Sequence, residues 1–228
     1  MARQPPVRGP DMPGRGRGPA LELAAVIALV FLVPHLTLAT VGGGWAWDLA
    51  NATGFLALAG LVFQMIPRDR AGGFRRHERL GYWVLGLATA HALWMLLLDD
   101  TLRVYLWPGA PLFMWLGLVG LAVLAVLCVI ARLPDRMRVH PRYRGFRRMH
   151  RWLSMGALIL TGLHVALSGF YLDSTAELTI FAVVITAACL AGRWTGIRDT
   201  LSARLIPLWL LGGGIAVALF ALIRLPGP

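Results

Sequence analysis

Seven apolar stretches, each near the roughly 20 residues that a bilayer-spanning helix needs, dominate this chain of 228 residues. They run at about 20–40, 47–66, 78–98, 110–132, 150–171, 177–192 and 205–225. The sixth is short. The seventh contains Gly212-Gly213-Gly214, which lowers helix stability but permits close helix contact. With 57% hydrophobic and 14% charged residues, the chain is too apolar for a soluble domain of its size. It fits a protein for which lipid replaces water as the solvent of most side chains. The expectation is an all-α, polytopic membrane helical bundle of six to seven transmembrane helices. Its length suits one compact bundle and leaves no room for a soluble catalytic domain as well.

The formal net charge is +11, and every basic side chain is an arginine. Such a balance ordinarily suggests nucleic acid as a partner. Here no nucleic-acid partner is expected, because the arginines cluster in short loops between apolar stretches, where they orient a membrane protein. Twenty of the 22 fall on one side: in the tail, in the loop with Arg68, Arg70, Arg75, Arg76 and Arg79, in the loop from Arg132 to Arg151, and in the loop with Arg193, Arg198 and Arg204. The other side has Arg103 and Arg224 and gathers Asp48, Asp99, Asp100, Asp173 and Glu177. By the positive-inside rule the N-terminus is cytoplasmic, and seven spans place the C-terminus outside. Residues 1–18, rich in Pro, Gly and Arg, read as a disordered basic tail. The apolar run that follows is too long for a signal-peptide core and lacks a small-residue cleavage site after it, so it reads as a retained helix. Arginine without lysine suggests a GC-rich bacterial source, and the expected location is the plasma (inner) membrane, multi-pass. Cys128 and Cys189 lie in apolar stretches without metal-ligand spacing and read as small buried hydrophobes.

Four of the six histidines form two pairs. His77 and His91 are 14 positions apart, as are His150 and His164. That is almost four helical turns, so each pair shares one helix face, with its members roughly 21 Å apart along the axis. The third and fifth stretches are separated by one crossing and run in the same direction. His77 and His150 both follow arginine-rich loops and should share one depth; His91 and His164 should share another. Two parallel helices facing each other then present two stacked histidine pairs. A pair of opposed imidazoles is what a six-coordinate haem iron needs, and bundle interiors are where such cofactors are held. Arg75, Arg76, Arg79, Arg147, Arg148 and Arg151 are available for haem carboxylates near the inner pair. Near the outer pair only Arg103, Tyr105, Trp107 and Tyr171 are evident. Intramembrane histidines can also relay protons in a transporter or channel, or simply pack in a scaffold subunit. His140 reads as a solvated loop residue, and His35, after Pro34, as a residue packed against a kink.

The segments RRHERLGYWVLGLATAHALW and FRRMHRWLSMGALILTGLHVALSG, with WDLANATGFLALAGLVF before them, resemble the ferric reductase-like transmembrane domain shared by ferric reductases and NADPH oxidases. The resemblance covers about residues 45–195. It implies two b-type haems, the inner on His77 and His150 and the outer on His91 and His164. It implies electron transfer from a cytoplasmic-side donor to an acceptor on the outer side. Residues 19–200 are then the haem-binding domain and 201–228 an additional C-terminal helix. No Gly-rich dinucleotide fingerprint occurs, so the chain is expected to be an oxidoreductase membrane component without its own flavin or nicotinamide domain, supplied by a separate flavoprotein reductase or a quinol. The chain is also similar to the haem-binding membrane subunit of the periplasmic methionine sulfoxide reductase system, which implies a periplasmic oxidoreductase as the alternative acceptor.

Overall fold

The structure is a computed structural model, and it describes residues 45–66, 73–98, 107–132, 143–172 and 174–190. The described residues are all-helical. In order they form α1 (Trp45–Met65), α2 (Gly73–Leu98), α3 (Leu112–Arg132), α4 (Tyr143–Ser168) and α5 (Thr175–Leu190). These correspond to the second through sixth apolar stretches. The first and seventh stretches, the tail, His35, His140, Arg103 and Tyr105 lie outside the described residues.

Three helices, α1, α2 and α3, are long and apolar enough to cross a membrane. α5, with 16 residues, is a shorter apolar helix. α4 spends its first two turns on Arg144, Arg147, Arg148 and Arg151 before turning apolar. The helices begin earlier than hydropathy suggests, α2 at Gly73 and α4 at Tyr143. Arginine is a good helix former, and its long aliphatic stem lets the charge lie beyond the apolar layer. His77 and His150 therefore sit at least a full turn inside their helices rather than at helix starts.

α1 is the inner helix. Its apolar span is 72% buried, against 11% for α2 and 22% for α3. Ala50, Ala52, Leu58, Ala59 and Phe63 are almost wholly enclosed. The outer helices expose large apolar side chains such as Leu97, Leu112, Trp152 and Val183. Exposure on that scale would mark an interaction surface in water; against hydrocarbon it is ordinary.

α1 and α2 pack as one antiparallel hairpin, and α3 and α4 as a second. Contact between α2 and α3 joins them on one side. Small residues bring α3, α4 and α5 close together: a side chain at Gly120 would meet Thr161, and one at Gly162 would meet Ile185. α4 stops where Gly169 adopts φ 69°, the left-handed conformation that commonly ends a helix. α5 opens with a capping box. The Ser174 hydroxyl accepts from the Glu177 N–H (3.2 Å), and the Glu177 carboxylate accepts from the Ser174 N–H (3.3 Å). Ser174→Ala removes one acceptor and should cost about 1 kcal/mol, read as an earlier thermal transition of the purified protein with its absorption spectrum unchanged.

Candidate functional site: two stacked histidine tiers

α2 and α4 run parallel and face each other across a gap instead of packing directly. Their histidines meet across this gap at two levels. At the end that carries the arginines, the rings of His77 and His150 lie 5.9 Å apart, centre to centre, with planes at 66°. A metal bonded to one nitrogen of each ring at about 2 Å would set the ring centres roughly 6 Å apart. At the other level, His91 and His164 line one cavity of about 170 Å³. A smaller cavity, about 60 Å³, adjoins His77 and His150. Leu61 and Leu124 line both, so they form the partition between the two levels.

His91 and His164 are each held from behind. His91 Nδ1–H donates to the carbonyl of Ala50 at 2.7 Å, and His164 Nδ1–H donates to the carbonyl of Phe113 at 2.7 Å. A carbonyl can only accept, which fixes the proton on Nδ1 and leaves Nε2 with its lone pair. A backbone carbonyl behind the ring is the usual support of a metal-ligating histidine. Each ring also fits over a glycine one turn beyond its carbonyl. A Cβ on Gly54 would lie 2.9 Å from His91 Nδ1, and one on Gly117 would lie 2.8 Å from His164 Nδ1.

These equivalences extend along both hairpins at one constant offset per helix pair. Ala50, Gly54, Leu58, Leu61 and Met65 of α1 match Phe113, Gly117, Leu121, Leu124 and Cys128 of α3. On α2 and α4, His77, Gly81, Ala88 and His91 match His150, Ser154, Thr161 and His164. The site is thus a duplicated hairpin, each copy supplying one histidine to each tier. Sequence reading detects the paired histidines but not this wider correspondence, because the shared positions are small or aliphatic and carry no chemistry of their own.

The walls are mostly apolar, with a few polar groups. The larger cavity includes Trp47 and Asn51; Trp47 Nε1 and the Asn51 amide nitrogen are buried and have no hydrogen-bond partner among the described residues. Tyr171, buried edge-to-face on Phe55 at 5.0 Å, lines the same space. Trp107 is exposed and is not part of that wall. In the smaller cavity the Gln64 amide nitrogen is buried without a hydrogen-bond partner among the described residues, and Glu78, Tyr82 and Ser154 add to the polar lining. Glu78 accepts from the Tyr82 hydroxyl at 3.5 Å and lies 4.0 Å from Arg132. Cys128, in the same wall, directs its thiol to the Gly81 carbonyl at 3.7 Å.

The arginines expected near the first tier are placed as follows. Arg75 and Arg76 fall in the first turn of α2. Arg147, Arg148 and Arg151 lie on the exposed part of α4 flanking His150, and Arg79 is exposed beside His77. None of the arginines whose side chains are described lines either cavity. Asn51, Trp47 and Gln64 were not legible as site residues, since a polar side chain inside an apolar stretch gives no hint of which face it occupies.

Among the described residues no group of three or more His, Cys, Asp and Glu is placed to hold a metal ion. Imidazoles arranged in twos suit a metal whose other positions are filled by a macrocycle. In comparisons with known proteins, the chain matches no family model, no curated protein and no solved structure.

Proposed function

We propose that this chain is a transmembrane electron conduit of the ferric reductase-like kind, holding two b-type haems, one at each histidine tier. The observation that carries this reading is the edge-on approach of His77 to His150 and the shared cavity wall of His91 and His164, each pair next to its own cavity between two parallel helices. A haem with two imidazole ligands supplies a one-electron iron couple and has no open position for a substrate.

The chain's own residues do the rest. The Ala50 and Phe113 carbonyls hold His91 and His164 in one tautomer, and Gly54 and Gly117 leave room for their rings. Apolar walls exclude water from the tiers. The buried N–H donors of Asn51 and Trp47, and of Gln64 in the other tier, lack acceptors that a haem carboxylate can provide. The arginines of this end, Arg75, Arg76, Arg147, Arg148 and Arg151, would serve a haem carboxylate only where it reaches past the cavity wall, since none whose side chain is described lines it.

In this reading the bundle has six to seven spans, with its N-terminus cytoplasmic in a bacterial inner membrane. The arginine-bearing tier is the inner one. A separate flavoprotein reductase or a quinol delivers electrons there, and an acceptor takes them outside. That acceptor is a metal ion, a small oxidant or a periplasmic oxidoreductase. The test is the visible spectrum of the full chain purified in detergent. A Soret band, a dithionite-reduced α band that oxygen abolishes, and about two haems per chain support the conduit. A colourless protein that carries an ion flux would establish a histidine relay instead.

A further inference from the structure

Helices α1 to α4 stand in a square. α1 touches α2 and α4, and α3 touches the same two. α2 and α4 therefore occupy one diagonal, and α1 and α3 the other. A planar macrocycle ligated on its two faces from α2 and α4 turns its edges toward α1 and α3. The duplication makes these two walls alike in shape: Gly54, Leu58 and Leu61 on one side answer Gly117, Leu121 and Leu124 on the other. Their polar atoms are not alike. By the same offset Trp47, Asn51 and Gln64 of α1 correspond to Ala110, Met114 and Leu127. Met114 lines the larger cavity opposite Asn51, and Leu127 the smaller one opposite Gln64. Asn51 is 4% exposed. Its amide nitrogen, Trp47 Nε1 and the Gln64 amide nitrogen are all buried without a hydrogen-bond partner among the described residues. α3 brings no amide or indole to either cavity, and its Cys128 thiol is turned to the Gly81 carbonyl.

We infer that α1 alone selects the orientation of both macrocycles, so that each carries its carboxylates on the edge facing α1; the inference rests on the haem reading above. A b-type haem is lopsided, with both carboxylates on one edge of the ring. Between two apolar walls of the same shape, a half-turn that exchanges the walls would cost nothing, and both orientations would fill. Donors on one wall remove that equivalence. Toward α1, a carboxylate meets Asn51 and Trp47 in the outer tier and Gln64 in the inner one, and charge-assisted hydrogen bonds of this kind are the strong ones. Toward α3, the same carboxylate would be buried against Met114 or Leu127, while the nitrogens on α1 stayed unpaired. None of the arginines whose side chains are described lines either cavity, so none offsets that loss within the walls.

The experiment uses the full chain in detergent and two readouts. One is the rate at which haem passes to excess apomyoglobin. The other is the proton spectrum of the ferric protein, in which the two orientations of a haem give separate methyl signals. The parent should show one set of signals per haem. Asn51→Leu removes a donor and should speed release of one haem about tenfold, with a second set of signals for that haem only. Gln64→Leu should do the same for the other haem. Met114→Leu should match the parent. Met114→Asn puts an amide on the opposite wall and should add a second set of signals without loss of haem. Parent release and one set of signals in either Asn51→Leu or Gln64→Leu, with full haem, overturns the role of α1 at that tier and leaves the two-haem reading intact. Two sets in the parent, or equal acceleration in Met114→Leu, overturns it as well. If Asn51→Leu does not assemble, Met114→Asn decides the outer tier, and a single set of signals there overturns selection by the wall donors. A parent without a Soret band overturns the haem reading and this inference together.

Discussion

His91→Ala should leave the purified chain with about half the haem of the parent, and the remaining spectrum should be that of the inner tier alone. The effect is large because each proposed tier has one pair of imidazoles and no third among the described lining residues. His91 is fixed by the Ala50 carbonyl, and His164 is the other imidazole of the cavity wall; the thioethers of Met95 and Met114, also in that wall, are weaker ligands. His77→Ala should remove the other half, because the wall facing His150 would then hold no second imidazole, only Met65, Gln64, Glu78, Tyr82 and Cys128. The two single variants should therefore be complementary in haem content and in reduction potential, and the double variant colourless. Haem per chain, measured against protein mass, checks all three. Retention of the parent haem content by His91→Ala would remove the outer tier from the reading.

The second large effect needs no ligand to be touched. Gly54→Val and Gly117→Val should each abolish haem at the outer tier while leaving the histidines in the sequence. A Cβ at either position falls inside the van der Waals envelope of an imidazole, at 2.9 and 2.8 Å from Nδ1. The ring would have to leave its carbonyl to escape, and overpacking of this kind costs about 1–3 kcal/mol. Gly86 is the control. It sits on the same helix as His77 and His91, and nothing lies within 4 Å of a Cβ built there. Gly86→Ala should keep the full spectrum and gain up to about 1 kcal/mol from helix propensity. Equal loss of haem in all three variants would show general helix damage rather than displacement of a ring.

Much of this architecture is legible in the sequence, and the reason is the medium. A bilayer demands helices of fixed length, so the stretches that became α1 to α5 stand out by composition. Arginine loops mark one end of each helix, so the common depth of His77 and His150 can be read without coordinates. What escapes is whatever depends on which helix lies behind which. Ala50 and Phe113 act through their carbonyls, so their side chains carry no trace of the role. Gly54 and Gly117 are two glycines among 26 until the hairpins close and a ring is found against each. The starts of α2 and α4 were set too late by hydropathy, since it penalises arginine while helix geometry does not.

The duplicated hairpin has a consequence for how such a protein is made. The first copy, ending at Leu98, carries His77 and His91 and nothing to oppose them; the second brings His150 and His164. A nascent chain halted between the two would own half of every binding place and none entire. If the tiers hold haem as proposed, one hairpin alone cannot supply both imidazoles of either tier, and loading would wait on the docking of the two hairpins. A prosthetic group bound in that way would act as a rivet between them, so that cofactor supply and completion of the bundle would become a single event.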